Sequence, residues 1–403
     1  MKVTHSYSAA AAKIVLTSVA LAMPLAASAQ GTNVTIYGRL NTGIDNYTAK
    51  GAATGAAGEI RSTTRVFDAL SRLGFRGVEP LSSDLSAVFQ IEGGLNVDNG
   101  GNTTQGGQPN TSTGGIATRT TYVGLTSKSM GSLRFGRQDA YWITYPHAHT
   151  ALSYTHLGPE FLVDAASGVV TIPLARQNNT IQYISPKLGG FSTDINYSGG
   201  TESTAAVRDR AYAVKLHYET GPFAVSYDYG RYDNLPAATG PVAGRDKIGQ
   251  RIAGSYSYAT GARIGLLVTR LTNNNVAAVA AIPGGFGGIR AGDNLEVTSV
   301  ALNWEHTINQ FQLFAGYGRT DDVKNSSGLR DTKSSIATLG VRYNLSKRTG
   351  VYVDYGQIRN ERNNYLDWTI GGISSATGPG GSLSAVNAGA DPRIFGMGIM
   401  HSF

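Results

Sequence analysis

Period two runs through this chain almost from end to end. In "FSTDINYS", Phe191, Thr193, Ile195 and Tyr197 alternate with Ser192, Asp194, Asn196 and Ser198. "YAVKLHYE" sets Tyr212, Val214, Leu216 and Tyr218 against Lys215, His217 and Glu219, and "ATLGVRYNL" sets Ala337, Leu339, Val341, Tyr343 and Leu345 against Arg342 and Asn344. Successive side chains of an extended chain point to opposite faces, so each stretch is a strand with one apolar and one polar side. "SRLGFRG" sharpens the demand, because Arg72 and Arg76 share one face of a strand whose other face carries Leu73 and Phe75. The helical period is hard to find, and no stretch after residue 30 approaches the roughly 20 apolar residues of a membrane-spanning helix.

Turn signals divide the strands unevenly. Tight connections fall at 80–83, 127–130, 186–190, 220–222, 259–261, 307–309 and 346–348. The alternate connections are long and rich in Gly, Asn, Ser and Thr, at 45–64, 96–116, 139–175, 199–207, 232–249, 274–292, 321–332 and 361–393. Sixteen strands are expected between them, near 33–44, 65–79, 84–95, 117–126, 131–138, 176–185, 191–198, 208–219, 223–231, 250–258, 262–273, 293–306, 310–320, 333–344, 349–360 and 394–403. Short turns at one end, long loops at the other and an even strand number are the sequence form of an outer-membrane barrel. About sixteen strands is the range that keeps an open aqueous channel. The expected fold is all-β: a sixteen-stranded antiparallel up-and-down transmembrane β-barrel.

Hydrocarbon tolerates neither unpaired backbone groups nor charges, so such a sheet closes on itself, turns its apolar face to lipid and encloses water. Leu73 and Phe75 then face outward, and Arg72 and Arg76 face the lumen. Arg39 joins them, in phase with Tyr37 and Asn41, and Glu92 follows the phase of Gln90. Arg137 shares the phase of Leu133 and Phe135 and is expected outside, where it could bond across a subunit interface. Tyrosines at strand ends, such as Tyr197, Tyr218, Tyr229, Tyr258 and Tyr317, suit the aromatic girdles of the two membrane interfaces.

Residues 1–29 read as a secretory signal peptide, with Lys2 and Lys13 ahead of an apolar run from Ile14 to Leu25 and a small-residue cleavage pattern at Ala27-Ser28-Ala29. The expected mature chain, 30–403, is one barrel domain. Its 32 basic and 27 acidic residues, counted without Lys2 and Lys13, leave +5, a mild excess without basic runs that argues against a nucleic-acid partner. Cysteine is absent, so neither disulfides nor thiolate metal sites hold the fold. The last strand, "RIFGMGIMHSF", puts Phe395, Met397, Ile399, His401 and Phe403 on one face and Gly396 and Gly398 on the other. A chain ending on Phe within an alternating strand resembles the assembly signal of bacterial outer-membrane proteins, which implies a contact of Phe403 with the assembly machinery.

The segments "VTIYGRLNTGID", "SRLGFRGVEPLSSDLSAVFQIEGGLNVDNG", "TYVGLTSKSMGSLRFGRQ", "IQYISPKLGGFS", "LSKRTGVYVDYG" and "MHSF" together resemble the general diffusion porins of Gram-negative outer membranes, of the trimeric sixteen-stranded type found in beta-proteobacteria. The resemblance covers the whole mature chain. It implies a homotrimer in outer-membrane lipid and lipopolysaccharide that passes inorganic ions and small hydrophilic solutes. It also implies that one long loop, 139–175 here, folds into the lumen and constricts it, its carboxylates facing arginines on the wall. Carried over by motif, Arg72, Arg119 in "RTTYVGL" and Arg176 in "RQNNTIQY" match the basic wall, and Glu160 in "PEF" matches the loop carboxylate. Four residues earlier, where a second carboxylate is usual, stands His156, with Asp164 as a possible substitute. Three or more arginines against one or two carboxylates predict mild anion preference.

Catalysis finds little support. His147, His149 and His156 lie in the long loop with Asp139 and Asp164 flanking, but without HExxH or regular metal-ligand spacing. No Gly-x-Ser-x-Gly elbow or phosphate loop occurs, and "GGFGGIR" lacks the Lys-Ser/Thr of a phosphate cradle. No metal, cofactor or enzymatic activity is expected. A solute-specific channel of the same fold is the alternative.

Overall fold

The computed structural model describes residues 33–98, 116–139, 170, 176–199, 209–234, 236–237, 240–241, 244–278, 289–368 and 386–403. The strands are β1 (Asn33–Lys50), β2 (Ile60–Asp68), β3 (Arg72–Pro80), β4 (Leu85–Gly94), β5 (Thr121–Ser127), β6 (Gly131–Asp139), β7 (Arg176–Ile184), β8 (Phe191–Ser198), β9 (Arg210–Thr220) and β10 (Phe223–Asp233). After a two-residue hairpin, β11 (Pro236–Ala237) and β12 (Gly240–Pro241), come β13 (Lys247–Ala259), β14 (Ala262–Asn273), β15 (Leu295–Ile308), β16 (Phe311–Thr320), β17 (Ser334–Asn344), β18 (Thr349–Asn360) and β19 (Asp391–Ser402). From β4 to β18 each wall strand pairs antiparallel with the wall strands before and after it, and β1 closes the sheet by pairing with β19 on one edge and with β2 and β3 on the other. Since β2 and β3 are two halves of one stave, sixteen staves form a closed barrel.

Closure is completed at the last residue. Gly38 and Phe403 exchange both backbone hydrogen bonds, each at 3.1 Å. The Phe403 ring lies where a side chain at position 38 would stand, since a Cβ there would be 2.4 Å from Cζ of the ring. Glycine is therefore required at 38 by close approach.

The two faces of the wall differ as the alternation demands. Ile36, Val66, Leu125, Phe135, Ile195, Leu216, Ile252, Leu266, Leu302, Leu339, Val353 and Met397 are exposed on the outside. Their neighbours one position along, including Asp194, Asn196, Lys215, Arg251, Asn303, Thr338 and Asp354, are buried inside. Near the short turns the outside carries paired aromatics: Phe191 with Tyr218 (ring centroids 4.3 Å apart), Phe223 with Tyr256 (4.9 Å) and Phe311 with Tyr343 (4.9 Å). An amphipathic ring there has its body in lipid and its edge at the headgroups.

Two features depart from the sequence expectation. The strand expected at 65–79 is broken at Ala69–Ser71, where Leu70 takes φ +59°. Opposite Leu40 and Asn41 of β1 stand three residues instead of two, a bulge fixed by Ala69 N donating to Asn41 O (2.8 Å) and Asn41 N donating to the Ser71 hydroxyl (2.9 Å). One extra residue reverses the phase of a strand. Phe67, in phase with Leu73 and Phe75 by simple counting, is consequently buried, and Val66 is exposed.

The second departure concerns the inner face, which is not uniformly polar and wet. Toward the loop end Leu267, Ile336, Ile358 and Ile394 form a buried apolar cluster with Leu366 and Trp368 from the final long connection. The Tyr47 hydroxyl donates to Asp367 (2.8 Å), and Asn360 Nδ2 donates to the Leu366 carbonyl (2.9 Å), so residues 363–368 are held against the wall.

An arginine at an outward mid-wall position loses its hydration to hydrocarbon, at a cost of about 2–4 kcal/mol. Leu339→Arg is expected to lower folding stability by about that amount in urea titrations of vesicle-refolded protein, and Leu339→Phe to leave it within about 0.5 kcal/mol.

Candidate functional site

The bulge shapes a charged inner wall across β1, β3 and β4. Register places Arg39 beside Arg72, Tyr37 beside Gly74 and Gly74 beside Glu92, and direct cross-strand neighbours share a face. Gly74 leaves room for the Tyr37 ring, whose Cζ would be 2.4 Å from a Cβ at that position. The Arg76 guanidinium stacks over the same ring at 5.2 Å. Arg39 donates to the carbonyls of Ala69 and Leu70 at 3.4 Å each, so the bulge itself positions this side chain.

Glu92 is the hub. It accepts from Arg119 Nε at 2.5 Å and from the Tyr37 hydroxyl at 3.1 Å, and Arg72 Nε lies 3.9 Å away. The Arg119 amide also bonds the Glu92 carbonyl at 2.9 Å, which pins the start of β5 against the end of β4. Beyond it, Arg176 Nε pairs with Asp139 at 2.6 Å, and the Thr120 hydroxyl donates to the other oxygen of that carboxylate at 2.8 Å. Both terminal nitrogens of Arg176 are buried without a hydrogen-bond partner among the described residues. A guanidinium stays charged in such surroundings, because its delocalised cation holds the proton far above neutral pH. Five arginines therefore meet two carboxylates, Glu92 and Asp139, on this wall.

Arg39, Arg72, Arg119 and Arg176 are brought together on the inner face. His156, Glu160 and Asp164 lie outside the described residues, as do His147, His149, the signal segment 1–29 and nearly all of 139–175. Arg137 donates to the Thr118 carbonyl (3.1 Å) and to the Asn178 side chain, both within the same chain. Glu92 was visible in phase but not in role, because the partners of a strand residue depend on which strands adjoin it. A second charged row lies on the inner face farther around the barrel. Asp194, Lys215, Asp228 and Arg251 are successive register neighbours on β8, β9, β10 and β13. Lys215 Nζ is 3.4 Å from Asp194 and Arg251 donates to Asp228 at 3.2 Å, so signs alternate around the wall. Alternation places Asp194 and Lys215 on the polar faces of their strands, but the row itself needs the register of four strands.

A family model described as Gram-negative porin matches residues 15–363. The chain belongs to that family. Its wall therefore encloses a water-filled channel through the bacterial outer membrane. This porin is 28% identical over 403 residues to outer membrane porin protein 32 of Delftia acidovorans, covering 97% of this chain and 99% of the relative. It is 28% identical over 383 residues to an outer membrane porin protein of Bordetella pertussis, covering 85% and 93%. Among solved structures, an anion-selective porin from Comamonas acidovorans superimposes with a TM-score of 0.66 at 22% identity, covering 93% of this chain and all of that one. The trimer form of OmpT of Vibrio cholerae gives 0.57 at 15% identity, covering 93% and 100%.

Since Glu92 neutralises part of the field of Arg72 and Arg119, Glu92→Gln is expected to raise the chloride-to-potassium permeability ratio of the porin. Reversal potentials in a salt gradient across planar bilayers measure it.

Proposed function

We propose that this porin is a passive, non-catalytic, mildly anion-preferring channel for inorganic ions and small hydrophilic solutes, working as a homotrimer. The observation that carries the selectivity is the excess of fixed guanidinium groups, Arg39, Arg72, Arg76, Arg119 and Arg176, over Glu92 and Asp139 on one inner wall. Charges lining a narrow low-dielectric channel focus their field into it, concentrate counter-ions and bias their passage. Glu160 of the loop at 139–175, with Asp164 substituting for the second carboxylate whose usual position His156 occupies, completes a transverse field against the arginines in this proposal. Likeness to a porin described as anion-selective agrees with that sign, and the trimer form of OmpT agrees with the assembly. Export through a leader at 1–29, insertion guided by Phe403 and a surround of outer-membrane lipid and lipopolysaccharide belong to the same proposal.

Arg72→Gln, Arg119→Gln and Arg176→Gln combined are expected to lower the chloride-to-potassium permeability ratio by about two-fold or more. A ratio unchanged by all three substitutions would remove these side chains from the selectivity mechanism.

A further inference from the structure

On the outside of the barrel, toward the loop end of β16, β17 and β18, lies a polar pocket of about 370 Å³ lined by Tyr317, Arg319, Lys333, Ser335, Arg359 and Glu361 among others. Arg319 stands opposite Ser335 in register, and Ser335 opposite Arg359, so two guanidinium stems flank one hydroxyl. Their outward direction follows from β15, where the register partner of Arg319 is Val300, an exposed apolar residue. Tyr317, two residues nearer the barrel's middle on the same face, is exposed and pairs with the equally exposed Leu302. An outward aromatic at a strand end marks the headgroup boundary. Two further residues of strand advance about 6–7 Å. The arginine row therefore stands at the depth of headgroup phosphates, on the long-loop side that faces the cell exterior.

The protein itself engages these cations loosely. Arg359 makes no ion pair within 4 Å among the described residues; Asp391, which accepts the Asn360 amide at 2.8 Å, acts on it only as a more distant charge. Arg319 reaches Asp321 only at 3.9 Å, with both side chains more than half exposed (58% and 51%). Exposed pairs of this kind contribute little, so a better acceptor can displace Asp321. Lys333 Nζ is 3.1 Å from Asp322, and the Glu361 carboxylate accepts the Lys333 amide at 3.1 Å. The Ser335 hydroxyl makes no hydrogen bond among the described residues. Two planar donor forks around a free hydroxyl match the oxygens of a phosphate group. Val300 stands beside Arg319, and below the row the exposed Leu302 and Leu339 offer an apolar surface for acyl chains.

We propose that this pocket binds a headgroup phosphate of an anionic outer-leaflet lipid, gripped by Arg319 and Arg359 with Ser335 donating between them. It rests on the outer-membrane channel described above, and gives the surrounding lipid a specific seat on this chain. Basic clusters at membrane headgroup depth attract anionic lipid generally, and a bidentate arginine pair adds geometric choice.

Native mass spectrometry of the full chain in detergent tests it, with diphosphoryl lipid A, the same lipid with its phosphates removed, and sodium phosphate as probes. Diphosphoryl lipid A is expected to bind wild type at least about ten-fold more tightly than the Arg319→Gln/Arg359→Gln variant, a loss of about 1.4 kcal/mol. The Arg319→Lys/Arg359→Lys variant is expected to keep part of that affinity, and the dephosphorylated lipid to bind both proteins equally weakly. Equal retention of diphosphoryl lipid A by wild type and the glutamine variant would overturn the proposal. So would sodium phosphate binding as tightly as the lipid, which would make the site a receptor for free anion. Conductance steps in neutral phosphatidylcholine bilayers, expected to be alike for wild type and the glutamine variant, report on the channel separately, since a wild type without steps would contradict the channel and not the lipid site.

Discussion

Everything in this wall depends on pairing every backbone amide and carbonyl that hydrocarbon would otherwise strip of water. Each unpaired group at that depth costs several kcal/mol, so the sheet has no stable open form in a bilayer. The contact that removes the last edge is local and specific. β1 meets β19 along its upper length, and Gly38 and Phe403 add two final hydrogen bonds under the Phe403 ring. Side chains can then be sorted freely between lipid and water, because the backbone is satisfied whatever they are.

That freedom is what permits the charged wall. In a soluble core an arginine cluster like Arg39, Arg72 and Arg119 would be prohibitively desolvated. Inside a closed barrel, pore water and the Glu92 and Asp139 carboxylates share the load. The bulge at Ala69–Ser71 adds a local refinement: the Ala69 and Leu70 carbonyls receive the Arg39 guanidinium, and its extra residue sets the phase that turns Arg72 and Arg76 inward while Phe67 stays buried above them. A device that perturbs one stave thus serves both the wall's curvature and its electrostatics.

Alternation made most of the architecture legible. β8, β14 and β18 have the very bounds expected from sequence, because strict period two ends there at unambiguous turn residues. The bulge was illegible because "FDALSRLG" offers neither glycine nor proline at 69–71, and Leu70 adopts its left-handed backbone only under the constraint of neighbouring strands. Residues 363–368 fall in the long connection 361–393, whose Gly- and Asn-rich composition carries no local mark of burial. Their burial depends on Tyr47, Leu267 and Ile336, which come from other strands of the barrel. Arg39 and Arg72 could be placed by phase alone, whereas Arg119 and Arg176 rested on family resemblance. The pairing of Glu92 with Arg119 needed the register of β4 against the segment before β5, information no single strand contains.

The central claim is the inside-out sorting of the two faces. Because the chain has no cysteine, single cysteines can carry nitroxide spin labels without background. Labels at Leu339 and Val353 in vesicle-embedded protein should collide mainly with oxygen dissolved in hydrocarbon, and a label at Arg76 mainly with a water-soluble nickel chelate. Preferential chelate contact at Leu339 together with oxygen contact at Arg76 would contradict the account.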